Sequence, residues 1–276
     1  MDYKSLITIT IALAMLCNHG VSTRGLSGMN ETEFMAESKS INRHATIKTI
    51  KTQFGDIFDC VDIYKQPSLL HPLLKNHKIQ MRPSYLKRNS TEDSISTESN
   101  SLPSNLAKMF GLGKGCPKGT VPIRRKVVKE GITRSINAYA GIVIHPDEGK
   151  RFKGAAAGLN VYQPSPVVSG QFSGALIEVF AGYVSNVAYI HTGWMVNPSF
   201  YGDAQTRFFI EWQEETDGEI SGCFDMECPG FVQVDTNLPV GAAFSKVSKI
   251  NGEQIVSDMR LTMVKLIKPL LIYVFY

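Results

Sequence analysis

Residues 193–234 read GWMVNPSFYGDAQTRFFIEWQEETDGEISGCFDMECPGFVQV. This block holds both tryptophans of the chain, a dense run of aromatics and two cysteines, Cys223 and Cys228, that enclose four residues. Within it Thr206–Trp212 (TRFFIEW) and Gly230–Val234 (GFVQV) read as short extended runs between Gly, Pro, Asn and Asp. The same pattern continues on the N-terminal side, in Val187–Val196, Gly174–Tyr183, Gly158–Tyr162 and Ser135–Ile144, and in Thr120–Arg125, which Pro122 interrupts. Several of these runs approach period-two alternation, and no long helical repeat competes with them. Many short strands with frequent turn signals predict an all-β chain, an antiparallel β-sandwich or a barrel.

Further toward the N-terminus the composition changes three times. Lys4 followed by the uncharged apolar run Leu6–Leu16 and the small residues Gly20-Val21-Ser22 reads as a signal peptide over 1–22. The run is about half the roughly 20 residues that a membrane span needs. Residues 23–83 form a small module whose dense part mixes short apolar runs with Pro67, Pro72 and Pro83, and His71 and His77 within it read as surface or packing residues. Residues 84–115 are rich in Ser, Thr, Asn and Glu and read as a flexible linker. The β-domain is placed at 116–255. Residues 256–276 read as an atypical tail, because the apolar run from Leu270 has no following strand to pair with. The acidic run Glu214-Glu215-x-Asp217 reads as a solvated turn.

The chain has 276 residues, a formal charge of +4 and 43% hydrophobic residues. A mild, scattered charge gives no electrostatic footprint for nucleic acid. Of the five cysteines, Cys17 lies in the signal and four remain, an even number that suits an oxidising compartment. A metal site needs a second close cysteine pair, so Cys223 and Cys228 are expected as a disulfide, and Cys60 and Cys116 then pair by elimination. The sequons Asn30-Glu31-Thr32 and Asn89-Ser90-Thr91 mark Asn30 and Asn89 as glycosylation candidates. These features together predict a secreted protein, extracellular or vacuolar, with no stable membrane span.

Three segments carry a more specific message. Phe54–Ser84 (FGDIFDCVDIYKQPSLLHPLLKNHKIQMRPS) resembles the activation peptide of the plant neprosin family, and CPKGTVPIRR at Cys116–Arg125 resembles the segment that follows it. GWMVNPSFYGDAQTRFFIEW and GCFDMECPGFVQ resemble the centre of the neprosin catalytic domain. The resemblance runs, with gaps, from about Phe54 to about Ile255. It implies a secreted zymogen with an antiparallel β-sandwich and a glutamic endopeptidase activity that cuts after proline in acid, without a metal or organic cofactor. Its implied partner is a proline-rich peptide or protein.

In that chemistry one carboxylate takes a proton from water while a second, protonated, donates to the scissile group. The family's first glutamate stands three residues before the Trp of Gly-Trp, and here that position is His191. The second belongs to a Trp-Gly-Gly-Glu segment that has no counterpart in the sequence. The sandwich is therefore expected to be incomplete and catalysis impaired, and no catalytic residue is carried over. His191 is expected to act as a base near neutral pH and to be cationic in acid. Glu178, Glu211 and Glu219 lie near it in sequence with no matched role. Trp194, Thr192 and Tyr201 are the cleft candidates, although an aromatic at a strand position is more often core. The alternative to an enzyme is a secreted β-sandwich protein that binds peptides without cutting them.

Overall fold

A computed structural model describes residues 45–70, 74, 78–81, 102–125, 140–145, 152, 154–183, 186–216, 219–228, 230–263 and 272–275. The signal segment, Asn30, Asn89, His71 and His77 lie outside the described residues. Among the described residues ten strands, β1 (Thr46–Lys51), β2 (Ile57–Asp62), β3 (Thr120–Arg124), β4 (Gly154–Asn160), β5 (Ser173–Tyr183), β6 (Asn186–Val196), β7 (Arg207–Thr216), β8 (Glu219–Phe224), β9 (Val256–Met263) and β10 (Ile272–Phe275), accompany the short α-helices α1 (Leu102–Met109) and α2 (Pro198–Tyr201). The strands make three sheets, in the orders β1-β2-β3, β10-β9-β4 and β5-β6-β7-β8. Every described pairing is antiparallel. The all-β, sandwich-like class is what the alternating short runs predict.

The core shows why these segments meet. One cluster gathers Ile50, Phe58 and Cys60 from the N-terminal hairpin, Ala107, Phe110 and Leu112 from α1 and the turn after it, and Trp194, Phe208, Ile210, Phe244 and Met259 from the rest of the chain. Phe58 and Phe208 are fully buried, and burying each contributes about 2–3 kcal/mol relative to exposure. The Phe110 ring meets Phe208 and Phe244, with centroids 6.1 and 4.9 Å away.

Several sequence expectations change. The second half of the 84–115 segment is not linker: α1 and the turn behind it send Ala107, Phe110 and Leu112 into the core. The polar average of that stretch hides a short apolar series, Leu106, Met109, Phe110 and Leu112. Replacing Phe110 with Ala is expected to lower unfolding free energy by about 3–5 kcal/mol in a urea titration; a linker residue would change nothing. Strand β3, assigned above to the β-domain, is the third strand of the N-terminal sheet, with Cys60 opposite Pro122.

At the other end, 256–263 is not tail. β9 is the central strand of its sheet, and its alternating Ser257, Met259 and Leu261 are buried. β10 finds its partner in the preceding strand, Ile272 opposite Met263 through Phe275 opposite Arg260. Glu214 and Glu215 belong to β7 rather than a turn. Residues 230–234 are not a strand: Gly230 has φ +146°, and a Cβ there would sit 2.7 Å from Trp212 Nε1. Residues 140–145 are outside any strand, with Ile142, Val143 and Ile144 exposed.

Candidate functional site

The β5–β6–β7 register builds the site. β6 (NVAYIHTGWMV) is a strand because β-branched and aromatic side chains alternate along it, and the alternation divides its residues between the two faces. Ile190, Thr192, Trp194 and Val196 are buried on one face, with Trp194 in the main core. Tyr189, His191, Gly193 and Met195 take the other. Gly193 has a steric reason: a Cβ there would collide with the Ala175 carbonyl oxygen and lie 2.7 Å from Leu176 Cα. The close β5–β6 approach therefore requires glycine next to His191.

His191 stands directly opposite Glu178 of β5 and Glu211 of β7. Directly opposed residues share a sheet face, so the three side chains converge. The imidazole Nε2 hydrogen-bonds Glu178 Oε2, and Nδ1 bonds Glu211 Oε2 at 3.2 Å. The Tyr189 ring stacks on the imidazole, with centroids 4.8 Å apart and planes 16° from parallel. His191 is largely covered at 11% side-chain exposure, while Glu178 is 42% exposed. Burial pulls the imidazole pKa down, but the hydrogen bonds and charges of Glu178 and Glu211 outweigh it and push the value up to about 9. At neutral pH the ring is therefore an imidazolium, not the base that the unperturbed value of about 6.5 would make it. Two of the three glutamates near it in sequence, Glu178 and Glu211, are its partners.

The expected cleft residues are buried. Trp194 donates its indole N–H to the Asn160 carbonyl at 2.9 Å, and Thr192 Oγ1 donates to the Phe209 carbonyl at 3.2 Å. Tyr201 has two guanidiniums over its ring, Arg124 and Arg207, whose Cζ atoms are 5.3 and 5.0 Å from its centre. Its hydroxyl donates to Asp225 Oδ2 at 2.9 Å. Burial drives the Asp225 carboxyl up to about 7, against the Tyr201 and Ile210 hydrogen bonds and the Arg124 charge. All three expected residues thus fix the interior near His191, and Asp225, which sequence reasoning missed, anchors one of them. The two disulfides form as expected, Cys60–Cys116 and Cys223–Cys228. Among the described residues, no group of three or more His, Cys, Asp or Glu side chains is placed to hold a metal ion.

The family model described as Neprosin matches residues 169–266, which include the whole β5–β8 sheet and β9. A second, described as Neprosin activation peptide, matches residues 49–144. The chain belongs to the neprosin family. A neprosin domain preceded by its activation peptide is the arrangement of a secreted, peptidase-like zymogen family, and the two disulfides agree with secretion. Among the described residues no helix is long and apolar enough to cross a membrane. The activation-peptide match runs beyond residue 83 and takes in α1 and β3. The neprosin match contains Glu178, His191 and Glu211 together.

Proposed function

We propose that this neprosin-family chain is a secreted precursor whose Glu178–His191–Glu211 centre holds proline-rich peptide segments without hydrolysing them. The observation that carries this reading is the occupation of both ring nitrogens of His191 by carboxylates. Two-acid hydrolysis needs one group with a free lone pair for a water proton and another with a proton to give. An imidazolium that donates both N–H groups to neighbouring carboxylates accepts nothing. Each of the two glutamates, in turn, has an oxygen committed to the ring.

The surroundings favour a peptide with rings. Phe180 stands opposite Tyr189, in register with and on the same face as Glu178 and His191, and Phe180 is about half exposed. An exposed phenyl ring beside a half-buried tyrosine suits the flat faces of a polyproline segment, which is already extended before it binds.

Incubation of the secreted chain with proline-containing peptides at pH 3–6 is expected to yield no prolyl cleavage, while the same peptides quench tryptophan or tyrosine fluorescence on binding. Phe180→Ala is expected to weaken that binding about tenfold, corresponding to about 1.4 kcal/mol. Cleavage that Glu178→Gln or Glu211→Gln abolishes would make the chain a peptidase and end this reading.

A further inference from the structure

We propose that the activation-peptide segment of this chain is a permanent structural partner of its β-domain, docked on a buried ionic surface and not released when the chain is cut. The partner surface consists of Arg207 and Tyr201 with Phe208, Phe244 and Gln233, and the segment that fits it is 45–70 with 102–125.

The centre of the contact is Arg207, at 0% exposure. Its Nη1 donates to Asp56 Oδ2 at 2.9 Å and to the Gly241 carbonyl at 2.8 Å. Its Nε and Nη2 donate to Asp203 at 3.2 and 2.6 Å. Asp56, in the turn between β1 and β2, is itself buried and also accepts from Arg124 Nε at 3.1 Å. An N-terminal carboxylate thus neutralises a guanidinium of the β-domain in the interior. Separation would leave that cation with Asp203 alone and would bring the apolar core that the two parts share into water.

Two independent contacts point the same way. Gln66, 1% exposed, uses its side-chain amide as a strand would use its backbone: Nε2 donates to the Gln233 carbonyl at 2.9 Å and Oε1 accepts from the Gln233 N–H at 2.6 Å. Phe110 packs on Phe208 and Phe244, and Ser245 N donates to the Met109 carbonyl at 2.7 Å. A removable inhibitor would cover a finished surface. Here the two parts share one apolar core, so the β-domain left alone would expose Phe208, Phe244 and a guanidinium whose carboxylate partner is Asp203 alone. The disulfide Cys60–Cys116 adds a covalent tie between the parts of the segment that lie on either side of residues 82–101.

The test uses the full chain with a protease recognition site placed between residues 126 and 139, which leaves the segment 45–125, with the Asp59–Arg125 pair and the Cys60–Cys116 disulfide, in one piece and the β-domain in the other. After cutting, the pieces are expected to co-elute on gel filtration, with or without reductant, and to melt in one transition. Asp56→Asn is expected to lower the Tm by about 10 °C, as a broken buried pair would in a domain of this size, and to let the cut and reduced pieces separate. Asp59→Asn is the control. Asp59 is equally buried but pairs with Arg125 inside the N-terminal sheet, so its loss is expected to leave the cut pieces together. A β-domain piece that elutes alone from the cut wild-type chain with its own cooperative melt would overturn the proposal. So would release by Asp59→Asn as complete as that by Asp56→Asn.

Discussion

Arg207→Met is expected to remove about 4 kcal/mol of stability, enough to unfold a substantial part of the population at 37 °C. The estimate starts from what the side chain satisfies: two carboxylates and one carbonyl, through four hydrogen bonds from a site with no solvent access. A methionine of similar length fills the space and restores none of them. Breaking one buried pair costs about 3–5 kcal/mol. Asp56 retains Arg124 at 3.1 Å and Asp203 is one-third exposed, so water and the second arginine recover part of the loss and hold the sum within that range. Against a typical total of about 5–15 kcal/mol this is a large fraction. The double variant Asp56→Asn with Arg207→Met is expected to lose less than the sum of its single variants, since an uncharged amide beside a methionine leaves no unpaired ion. Urea denaturation of the four proteins measures it. Strict additivity would show that the two side chains do not interact.

Stability is expected to be greatest in acid and to decline in two steps as pH rises. The first step belongs to Asp225. Its carboxyl titrates at about 7 when folded and near 3.9 when unfolded, so between those values the folded state binds more proton than the unfolded one. Stability then falls with rising pH. The second belongs to His191, folded at about 9 and unfolded near 6.5. Its contribution is complete below about pH 6.5 and is lost as pH passes through 9. Two and a half units correspond to about 3 kcal/mol, and His191 is covered enough for most of that to survive screening by water. The Asp225 step is of similar size. Thermal melts from pH 4 to 10 should therefore fall throughout, His191→Gln should flatten the alkaline limb, and Asp225→Asn should flatten the acid-to-neutral limb. A maximum near pH 8 in the wild type would contradict both assignments.

What the sequence discloses, and what it hides, follows from the range of each interaction. The strands 173–183, 186–196 and 207–216 are legible because alternation is local. The disulfides are legible because four cysteines leave few ways to pair. Gly-Trp three residues after Ile190 marks the position of His191. The partners of that histidine are not legible in the same way. Glu178 and Glu211 are 13 and 20 residues away, and only the register of two hairpins brings them opposite the ring. Slipping either pairing by one residue would turn the glutamate to the other face. The end of one alternating run at Tyr183 and the start of the next at Asn186 were the available signal, since pairing those two residues puts Glu178 opposite His191.

The Asp56–Arg207 pair lies further out of reach, 151 residues apart. Its trace in the sequence is a single charge inside each of two apolar runs, FGDIF and TRFFI. Charges in such places are either edge residues or buried and paired, and composition does not separate the two. The same averaging makes 102–112 read as linker. A polar neighbourhood outweighs Phe110 in a window, yet one fully buried ring decides where the segment goes.

His191 stays charged because two glutamates bracket it. Titration of the His191 imidazole by carbon–nitrogen correlated NMR in the folded chain tests this most directly. The ring is expected to remain an imidazolium through neutral pH and to lose its proton near pH 9, with the midpoint dropping toward 6.5 as Glu178→Gln and Glu211→Gln are introduced in turn. A wild-type ring that is neutral at pH 7, or whose midpoint ignores both substitutions, would contradict it.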